Sequence, residues 1–444
     1  MKRAAIRLVV LFLIMANTGP LGQAQQAGEQ VSRYFISVAP ERSEALYDLD
    51  EEFAFVVHVR QGVRPVSDAV VSWRLVTDAG TVVAAGETRV EDGMARVTGK
   101  VREPGFVRLH ATVLGSAGAV TGVAAVGVGV ERLQPSRPAP EDFDAFWDGK
   151  LAELAEVPVQ ARMTPVPSGM AGIEAFDVQI DSLGAPVSGY LARPVGAEPG
   201  SLPAIITLQG AGVGSSWLHS ATEWAREGML AMNINAHGLP NGQPAAYYEN
   251  LAATTLANYW VRGFHSREEY YFLGMFLRVV RAIDFITSQP EWDGKTLILY
   301  GTSQGGAQAL AGAGLDERVT FFVAGVTGMA DFGGWLRNRP MGWPNISSQL
   351  AAMKTAEAAA VLNTLAYFDV VYFAQRTQAD GFFTVGFLDD TCAPTTVYTA
   401  YNAVRGQKDI YNDLYARHEN TPEAVRRMRE AVLRHVQEMR EQGA

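Results

Sequence analysis

A serine between two glycines most constrains how this chain can fold. The run Gly301-Thr302-Ser303-Gln304-Gly305 follows an apolar stretch, 296–300, and precedes a stretch of small residues, 306–311. Such a serine sits on a sharp strand-to-helix turn that projects its hydroxyl outward. The glycines let strand and helix approach without Cβ clashes. The sequence therefore predicts that Ser303 is a nucleophile.

Apolar runs and helical segments alternate around this turn. Near-continuous apolar strands separated by helices predict a parallel sheet that is covered on both faces. Together with the serine turn, they predict an α/β-hydrolase fold. The strand candidates are 204–208, 230–235, 296–300, 321–326 and 382–387, with a helix expected at 270–287.

The N-terminal part of the chain has a different pattern. Short strand-like runs at 53–59, 69–76 and 105–113 are separated by turn signals, so residues 31–130 are expected to form a small all-β, immunoglobulin-like sandwich. We expect it to have a structural or positioning role, with carbohydrate binding as the alternative. The proline-bearing stretch 131–141 is a predicted linker, and 142–444 the predicted catalytic domain, which opens on a helix at 142–154.

The first residues predict export. Lys2 and Arg3 precede an apolar run, 8–16, and Gly22-Gln23-Ala24 offers small residues for cleavage, so residues 1–24 are expected to be a signal peptide. The protein would then be secreted or periplasmic, with no membrane contact after cleavage, because no run is long enough to span a bilayer. Cys392 is the single cysteine, which excludes an intrachain disulfide.

Charge and composition narrow the partners. A net charge of −10, without a basic patch, gives no support to nucleic-acid binding. The 48% hydrophobic content is that of a globular protein. Nothing in the sequence predicts the oligomeric state.

The order serine, acid, histidine selects the base. Of seven histidines only His418 and His435 follow Ser303. His435 falls in a polar terminal helix, 423–439, and is expected to be a solvated surface residue. His418 falls in a loop before Thr421, so it is the predicted base.

The acid is expected just beyond the strand that ends at Phe387. Asp389 and Asp390 both follow it, and spacing alone does not separate them. Asp331 also follows a predicted strand, one unit earlier. The acid would fix the tautomer of the histidine, which takes the proton of the attacking serine. The developing oxyanion would be held by the backbone N–H of Gln304 and by one from the loop 209–212.

Several of these motifs resemble one family, the acetyl xylan esterases and cephalosporin C deacetylases of carbohydrate esterase family 7. The resemblance runs from about Pro140 to the C-terminus. It is carried by the segment Asp142-Phe143-Asp144-Ala145-Phe146-Trp147, the G-x-S-Q-G turn, the segment from Val385 to Val397, and His418-Glu419. It favours Asp389 over Asp390. It implies deacetylation of acetylated sugars such as xylan fragments, without a metal or organic cofactor.

The chain departs from the family pattern at two places. Where the family has Arg-Gly-Gln before the nucleophile, this chain has the segment 235–241, which contains His237; Arg405-Gly406-Gln407 follows Asp389 and is interpreted as coincidence. Where the family has His-Gly-Tyr, this chain has Gln209-Gly210-Ala211, so Ala211 would supply the second oxyanion N–H. Gln209 and His237 are therefore candidate pocket residues, with structural support as the alternative for His237.

The sequence is also compatible with two other functions. Prolyl-oligopeptidase-like serine peptidases also carry a G-x-S-x-G-G turn, although they usually have a much larger N-terminal domain. A secreted carbohydrate-binding protein that kept the fold without catalysis is the second alternative. The predicted partner is an acetylated carbohydrate or another small ester.

Overall fold

The computed structural model describes residues 34–442. The predicted signal peptide, residues 1–24, lies outside this range. Strands β1 to β9 occupy the N-terminal part: Tyr34–Pro40, Leu46–Tyr47, Phe53–Gln61, Arg64–Pro65, Val70–Thr77, Val82–Arg89, Met94–Gly99, Gly105–Gly115 and Gly118–Val128. The three strand-like runs noted in this part of the sequence fall in β3, β5 and β8.

These nine strands form two sheets. One has the order β1-β3-β4, with β7 also paired to β3, and the other the order β2-β9-β8-β5-β6. Side chains alternate along β3, where Phe55, Val57 and Val59 are buried and His58 is exposed. The apolar face of each sheet needs cover from other apolar side chains. Buried side chains from both sheets, such as Val57 of β3 and Leu109 of β8, therefore belong to one core.

The rest of the chain alternates helices and strands. The helices α1 to α10 are Phe143–Ala155, Leu218–Arg226, Ala245–Ala253, Phe272–Thr287, Gln304–Leu315, Ser347–Ala352, Thr355–Ala366, Val370–Ala374, Pro394–Ala403 and Pro422–Glu441. The strands β10 to β18 are Ala161–Val166, Ile173–Ile180, Val187–Pro194, Leu202–Leu208, Leu230–Ile234, Trp292–Thr302, Phe321–Gly325, Asp380–Gly386 and Lys408–Asp413. Short 3-10 turns lie at Val130–Arg132, Tyr259–Val261 and Phe332–Arg337.

Strands β10 to β18 form one sheet in the order β10-β11-β12-β14-β13-β15-β16-β17-β18. The pairs from β14 to β18 are parallel, and those from β10 to β14 are antiparallel. The prediction of a mixed α/β fold with a large, mostly parallel sheet is confirmed. The sequence did not reveal β10, β11, β12 and β18, because these strands are only partly covered and lack a continuous apolar run.

Helices cover both faces of this sheet. Alternate residues of β13 point to opposite sides: Ala204 and Ile206 belong to one core and Ile205 to the other. Helices α4 and α5 contribute to the first core, and α2 and α10 to the second. Since the central strands are parallel, their carboxyl ends lie at one edge, where loops carry functional groups in such sheets. No helix within residues 34–442 is long and apolar enough to cross a membrane.

Candidate active site

Ser303 occupies a strained turn between β15 and α5. Its backbone has φ 59° and ψ −123°, a conformation that side-chain-bearing residues rarely adopt. A Cβ on Gly301 would lie 2.0 Å from the carbonyl oxygen of Gly305, and one on Gly305 would lie 2.2 Å from that of Leu208. Both positions therefore require glycine, as the sequence pattern predicts.

Three side chains from three loops form a hydrogen-bonded chain at this turn. The Oγ of Ser303 lies 2.9 Å from Nε2 of His418, and Nδ1 of His418 lies 2.8 Å from Oδ2 of Asp389. Because a carboxylate can only accept, Nδ1 carries the proton of the neutral ring and Nε2 accepts from the serine hydroxyl. This is the arrangement in which histidine activates a serine nucleophile.

Asp389 is fixed by its own loop. The carboxylate is fully buried, and its other oxygen accepts hydrogen bonds from the backbone N–H groups of Thr391 at 2.7 Å and Cys392 at 2.9 Å. Asp390 points elsewhere: its carboxylate is 62% exposed and pairs with Arg108 and Arg417. Of the two neighbouring carboxylates, that of Asp389 contacts His418 and that of Asp390 contacts the two arginines.

The earlier candidate acid, Asp331, lies in a different environment. It is buried, and accepts hydrogen bonds at 2.8 Å from both the backbone N–H and the hydroxyl of Ser136. Arg339 lies 3.0 Å from it. Asp331 therefore ties the segment before α1 to the turn after β16.

His435 is buried, so the prediction of a solvated surface residue is wrong. Helix α10 packs an apolar face on the sheet, and His435 falls on that face beside Val432 and Val436. Its ring stacks on Phe321 with centroids 4.7 Å apart, and Nε2 lies 2.9 Å from the Thr320 hydroxyl. The many charged residues of α10 concealed this stripe in the sequence.

The predicted oxyanion donors flank Ser303. Gln304 is the first residue of α5, and the first N–H groups of a helix have no partner within it. Ala211 lies in the loop after β13, and a Cβ on Gly210 would stand 3.9 Å from Cβ of Ser303. A cavity of about 450 Å³ contains Gly210, Ala211, Ser303 and His418, together with Trp217, Trp343 and Thr391.

A larger cleft, of about 800 Å³, lies elsewhere in the molecule. It is lined by Lys100, Phe106 and Arg132 from the N-terminal side and by Arg337, Arg339 and Thr395 from the catalytic side. None of Ser303, His418 or Asp389 lines it. The smaller cavity is therefore the candidate active site, because only it contains the serine and the histidine.

The side chains of Gln209 and His237 make hydrogen bonds within and to the segment 209–215, and neither side chain lines the active-site cavity. Gln209 donates from Nε2 to the Ser215 carbonyl at 2.8 Å. Nε2 of His237 lies 2.8 Å from the carbonyl oxygen of Gly212, which can only accept, so Nδ1 accepts from the Tyr271 hydroxyl at 2.7 Å. This environment corresponds to the structural-support alternative for His237.

The side chains of two glutamines on α5 hold the same loop. Oε1 of Gln304 accepts a hydrogen bond from the Tyr259 hydroxyl at 2.5 Å. Nε2 of Gln304 donates to the carbonyl oxygen of Gly210 at 3.4 Å. Gln308 donates to the Gln209 carbonyl at 3.0 Å. Sequence reasoning did not identify Tyr259 or Gln308, because one lies in a segment without strong periodicity and the other resembles an ordinary helix residue.

Burial keeps His237 neutral, which predicts a pH-dependent stability. Desolvation lowers its pKa from 6.5 to about 4. Between these values the unfolded chain binds more protons than the folded one, so stability falls as pH falls through this window. The loss is about 2 kcal/mol at pH 5. Thermal unfolding of wild type and His237→Gln should therefore show a gap in Tm at pH 7 that narrows at pH 5.

The exposed His219 provides the matched control for this prediction. His219→Gln should keep the same difference from wild type at both pH values. A constant gap for His237→Gln would contradict the inferred neutral state of His237. His435, whose pKa burial also lowers, is retained in all three proteins and so cancels in the comparison.

One group within residues 34–442 has the composition of a metal site: Asp389, Cys392 and His418 place their ligand atoms within 4.8 Å of one another. Both ring nitrogens of His418 are already engaged, one by Asp389 and one by Ser303. Cys392 is fully buried, and burial raises the pKa of its thiol well above the usual value, which disfavours the thiolate that binds metals. The set therefore fits a serine, histidine and aspartate site better than a metal centre.

Comparison with known proteins places the chain in a family. The model of the acetyl xylan esterase (AXE1) family matches residues 129–436. Acetyl esterase Axe7A of Xylanibacter ruminicola is 33% identical over 347 residues, which are 76% of this chain and 76% of that protein.

Two solved structures extend the comparison. An acetyl xylan esterase from Paenibacillus sp. R4 superposes with a TM-score of 0.61 at 27% identity, over 68% of this chain and 97% of that one. Acetyl xylan esterase 1 from Thermoanaerobacterium sp. shares the fold with a TM-score of 0.60 at 24% identity, over 69% of this chain and 97% of that one. The resemblance seen in the motifs is confirmed: the chain belongs to the acetyl xylan esterase family, carbohydrate esterase family 7, and is a carboxylic ester hydrolase.

Proposed function

We propose that this protein is a secreted serine esterase that removes acetyl groups from acetylated sugars such as xylan fragments. The observation that carries the proposal is the hydrogen-bonded chain from Ser303 through His418 to Asp389. Removal of acetyl groups is named for its relatives, the acetyl esterase Axe7A and the acetyl xylan esterase of Paenibacillus sp. R4.

The proposed reaction has two halves. In the first, Ser303 attacks the ester carbonyl while His418 takes its proton, and His418 then gives the proton to the departing sugar hydroxyl. In the second, His418 removes a proton from water, which attacks the acyl carbon; the bond from that carbon to Oγ of Ser303 then breaks, His418 returns the proton to Oγ, and acetic acid leaves as acetate and a proton. Asp389 stabilises the imidazolium in both halves. The N–H groups of Gln304 and Ala211 would hold the oxyanion in each tetrahedral intermediate.

The cavity suits a small acyl group attached to a sugar. Its rim carries Trp217, whose side chain is half-exposed and contributes to the cavity wall. An exposed indole offers an apolar face on which a pyranose ring can stack. We infer that Trp217 binds the sugar, while the loop 209–212 and Ser303 bind the acetyl ester.

Export and domain organisation complete the proposal. Residues 1–24 would direct secretion and be removed, which N-terminal sequencing of the exported protein would reveal as a start near Gln25. Residues 31–130 would form an immunoglobulin-like sandwich, joined through 131–141 to the catalytic domain. The two antiparallel-rich sheets of β1 to β9 support this division.

The substrate class is tested by a panel of esters. Wild type is expected to release acetate from acetylated xylo-oligosaccharides and to cleave p-nitrophenyl acetate, and to leave peptide anilides intact. Trp217→Ala should raise KM for the oligosaccharides while leaving KM for p-nitrophenyl acetate unchanged, because only the former has a sugar ring to stack. Cleavage of p-nitrophenyl acetate alone would contradict the sugar substrate, and cleavage of anilides would favour a peptidase.

A further inference from the structure

Strand β8 of the N-terminal region lies against the segment that carries Asp389. The ring of Phe106 packs edge-on against Phe387 with centroids 4.8 Å apart, and its centroid is 5.5 Å from that of Tyr398 on α9. Phe106 and Phe387 are both buried. The N-terminal strands therefore contact the chain two residues before the proposed catalytic acid.

Arg108 continues this contact along the same face of β8, two residues after Phe106. Its side chain is only 10% exposed. Nη2 donates to the backbone carbonyl of Asp389 at 2.8 Å, and Nη1 pairs with the carboxylate of Asp390. One guanidinium, whose planar shape fixes the direction of its donors, thus binds both Asp389 and Asp390 in the loop after β17, the acid loop.

Asp390 extends the link to the histidine loop. Its second carboxylate oxygen lies 3.2 Å from Nη1 of Arg417, the residue directly before His418. The N–H of Leu388 also donates to the carbonyl of Ala416 at 3.0 Å. The path from Arg108 through Asp390 to Arg417 therefore joins the loops of the proposed acid and base.

A third contact lies beyond the acid. Asp78 lies in the turn between β5 and β6. Its carboxylate accepts a hydrogen bond at 3.1 Å from the backbone N–H of Thr395, in the first turn of α9. Burial raises the pKa of Asp78. Phe106, Arg108 and Asp78 thus contact the segment 387–395 before, at and after Asp389.

We propose that Arg108 is a positioning residue for the Asp389–His418 pair, so that the N-terminal region forms part of the active-site scaffold. This inference rests on the proposed serine esterase mechanism. The Arg108–Asp390 pair gives little net stability, because the guanidinium is desolvated while the carboxylate is 62% exposed and solvent screens their attraction. Its effect here is on geometry: catalytic groups need placement within a fraction of an ångström, and a shift of 1 Å costs up to about 10²-fold in rate.

The test compares Arg108→Met with Arg108→Lys. Methionine fills much of the same space without a donor, and kcat for p-nitrophenyl acetate is expected to fall by about tenfold to 10²-fold while KM stays within about twofold. The rate of labelling of Ser303 by a fluorophosphonate should fall in parallel. Lysine keeps the charge and a donor and should recover part of the loss. Arg102→Met is the control, since Arg102 is 86% exposed in the same region, and it should keep wild-type kcat.

Rates are referred to the concentration of active sites, titrated with the fluorophosphonate at saturation, so that partial unfolding does not imitate slow catalysis. A kcat within about twofold of wild type for folded Arg108→Met would overturn the inference. If that variant does not fold, wild-type kcat and labelling rate in Arg108→Lys would overturn it. The proposed mechanism is tested separately: it fails if Ser303→Ala stays active, whereas a serine-dependent enzyme that is insensitive to Arg108 overturns only the positioning role.

Discussion

Replacing Ser303 by alanine is expected to lower kcat for acetyl ester hydrolysis by about 10⁴-fold to 10⁶-fold, because no acyl-enzyme can then form. The fold should be retained. Alanine keeps the Cβ that already stands at φ 59°, so the turn gains no new clash or strain. Acetate release and fluorophosphonate labelling should be lost together, while Tm and the circular dichroism spectrum remain those of wild type.

A second serine in the same cavity provides the control. Ser220 lines the cavity, and its hydroxyl lies 2.9 Å from that of Thr207, whereas His418 contacts Ser303 and Asp389. Ser220→Ala should therefore keep kcat within a few-fold of wild type. If Ser303→Ala retained more than about one per cent of wild-type kcat, a nucleophile other than Ser303 would have to be sought.

The serine turn is the part of the site that sequence predicts best, for a steric reason. Gly301 and Gly305 have no space for a Cβ, since the carbonyl oxygens of Gly305 and Leu208 lie 2.0 and 2.2 Å from where each would stand. Only glycine fits, so the constraint is written directly in the chain. The largely buried strands β13, β14, β16 and β17 and the buried run 296–299 of β15 are predictable from their apolar residues, because helices cover both faces of the sheet there.

Other features depend on contacts between distant segments. His435 looks polar in its neighbourhood along the chain but is buried, because the face of α10 that it shares with Val432 meets the sheet. The hydrogen bond between Tyr259 and Gln304 joins residues that no periodicity connects. In the sequence, Arg108 is a charged residue within a predicted strand, with no sign of its partner. The packing of Phe106 on Phe387 shows that β8 directs Arg108 toward Asp389 and Asp390. These contacts join residues that are far apart in the sequence, so local sequence patterns do not predict them.

The choice between two adjacent carboxylates yields the second large prediction. Asp389→Asn is expected to lower kcat by about 10⁴-fold. An amide at this position can donate as well as accept, so the tautomer of His418 that leaves Nε2 free to accept from Ser303 is no longer enforced. The change is nearly isosteric, and Thr391 and Cys392 can still donate to the remaining oxygen, so the loop should keep its shape.

Asp390→Asn is the matched control, since it makes the same chemical change one residue away. Its carboxylate is 62% exposed and is paired with Arg108 and Arg417 rather than with His418. We expect a loss of kcat of about tenfold or less, through a weaker link between the acid and histidine loops. The two effects are measured as kcat with p-nitrophenyl acetate at saturating substrate. Equal losses of kcat in both variants would mean that the two carboxylates act as a pair. A larger loss of kcat in Asp390→Asn would make Asp390 the catalytic acid, and the burial and hydrogen bonds of Asp389 would then serve the fold instead of the reaction.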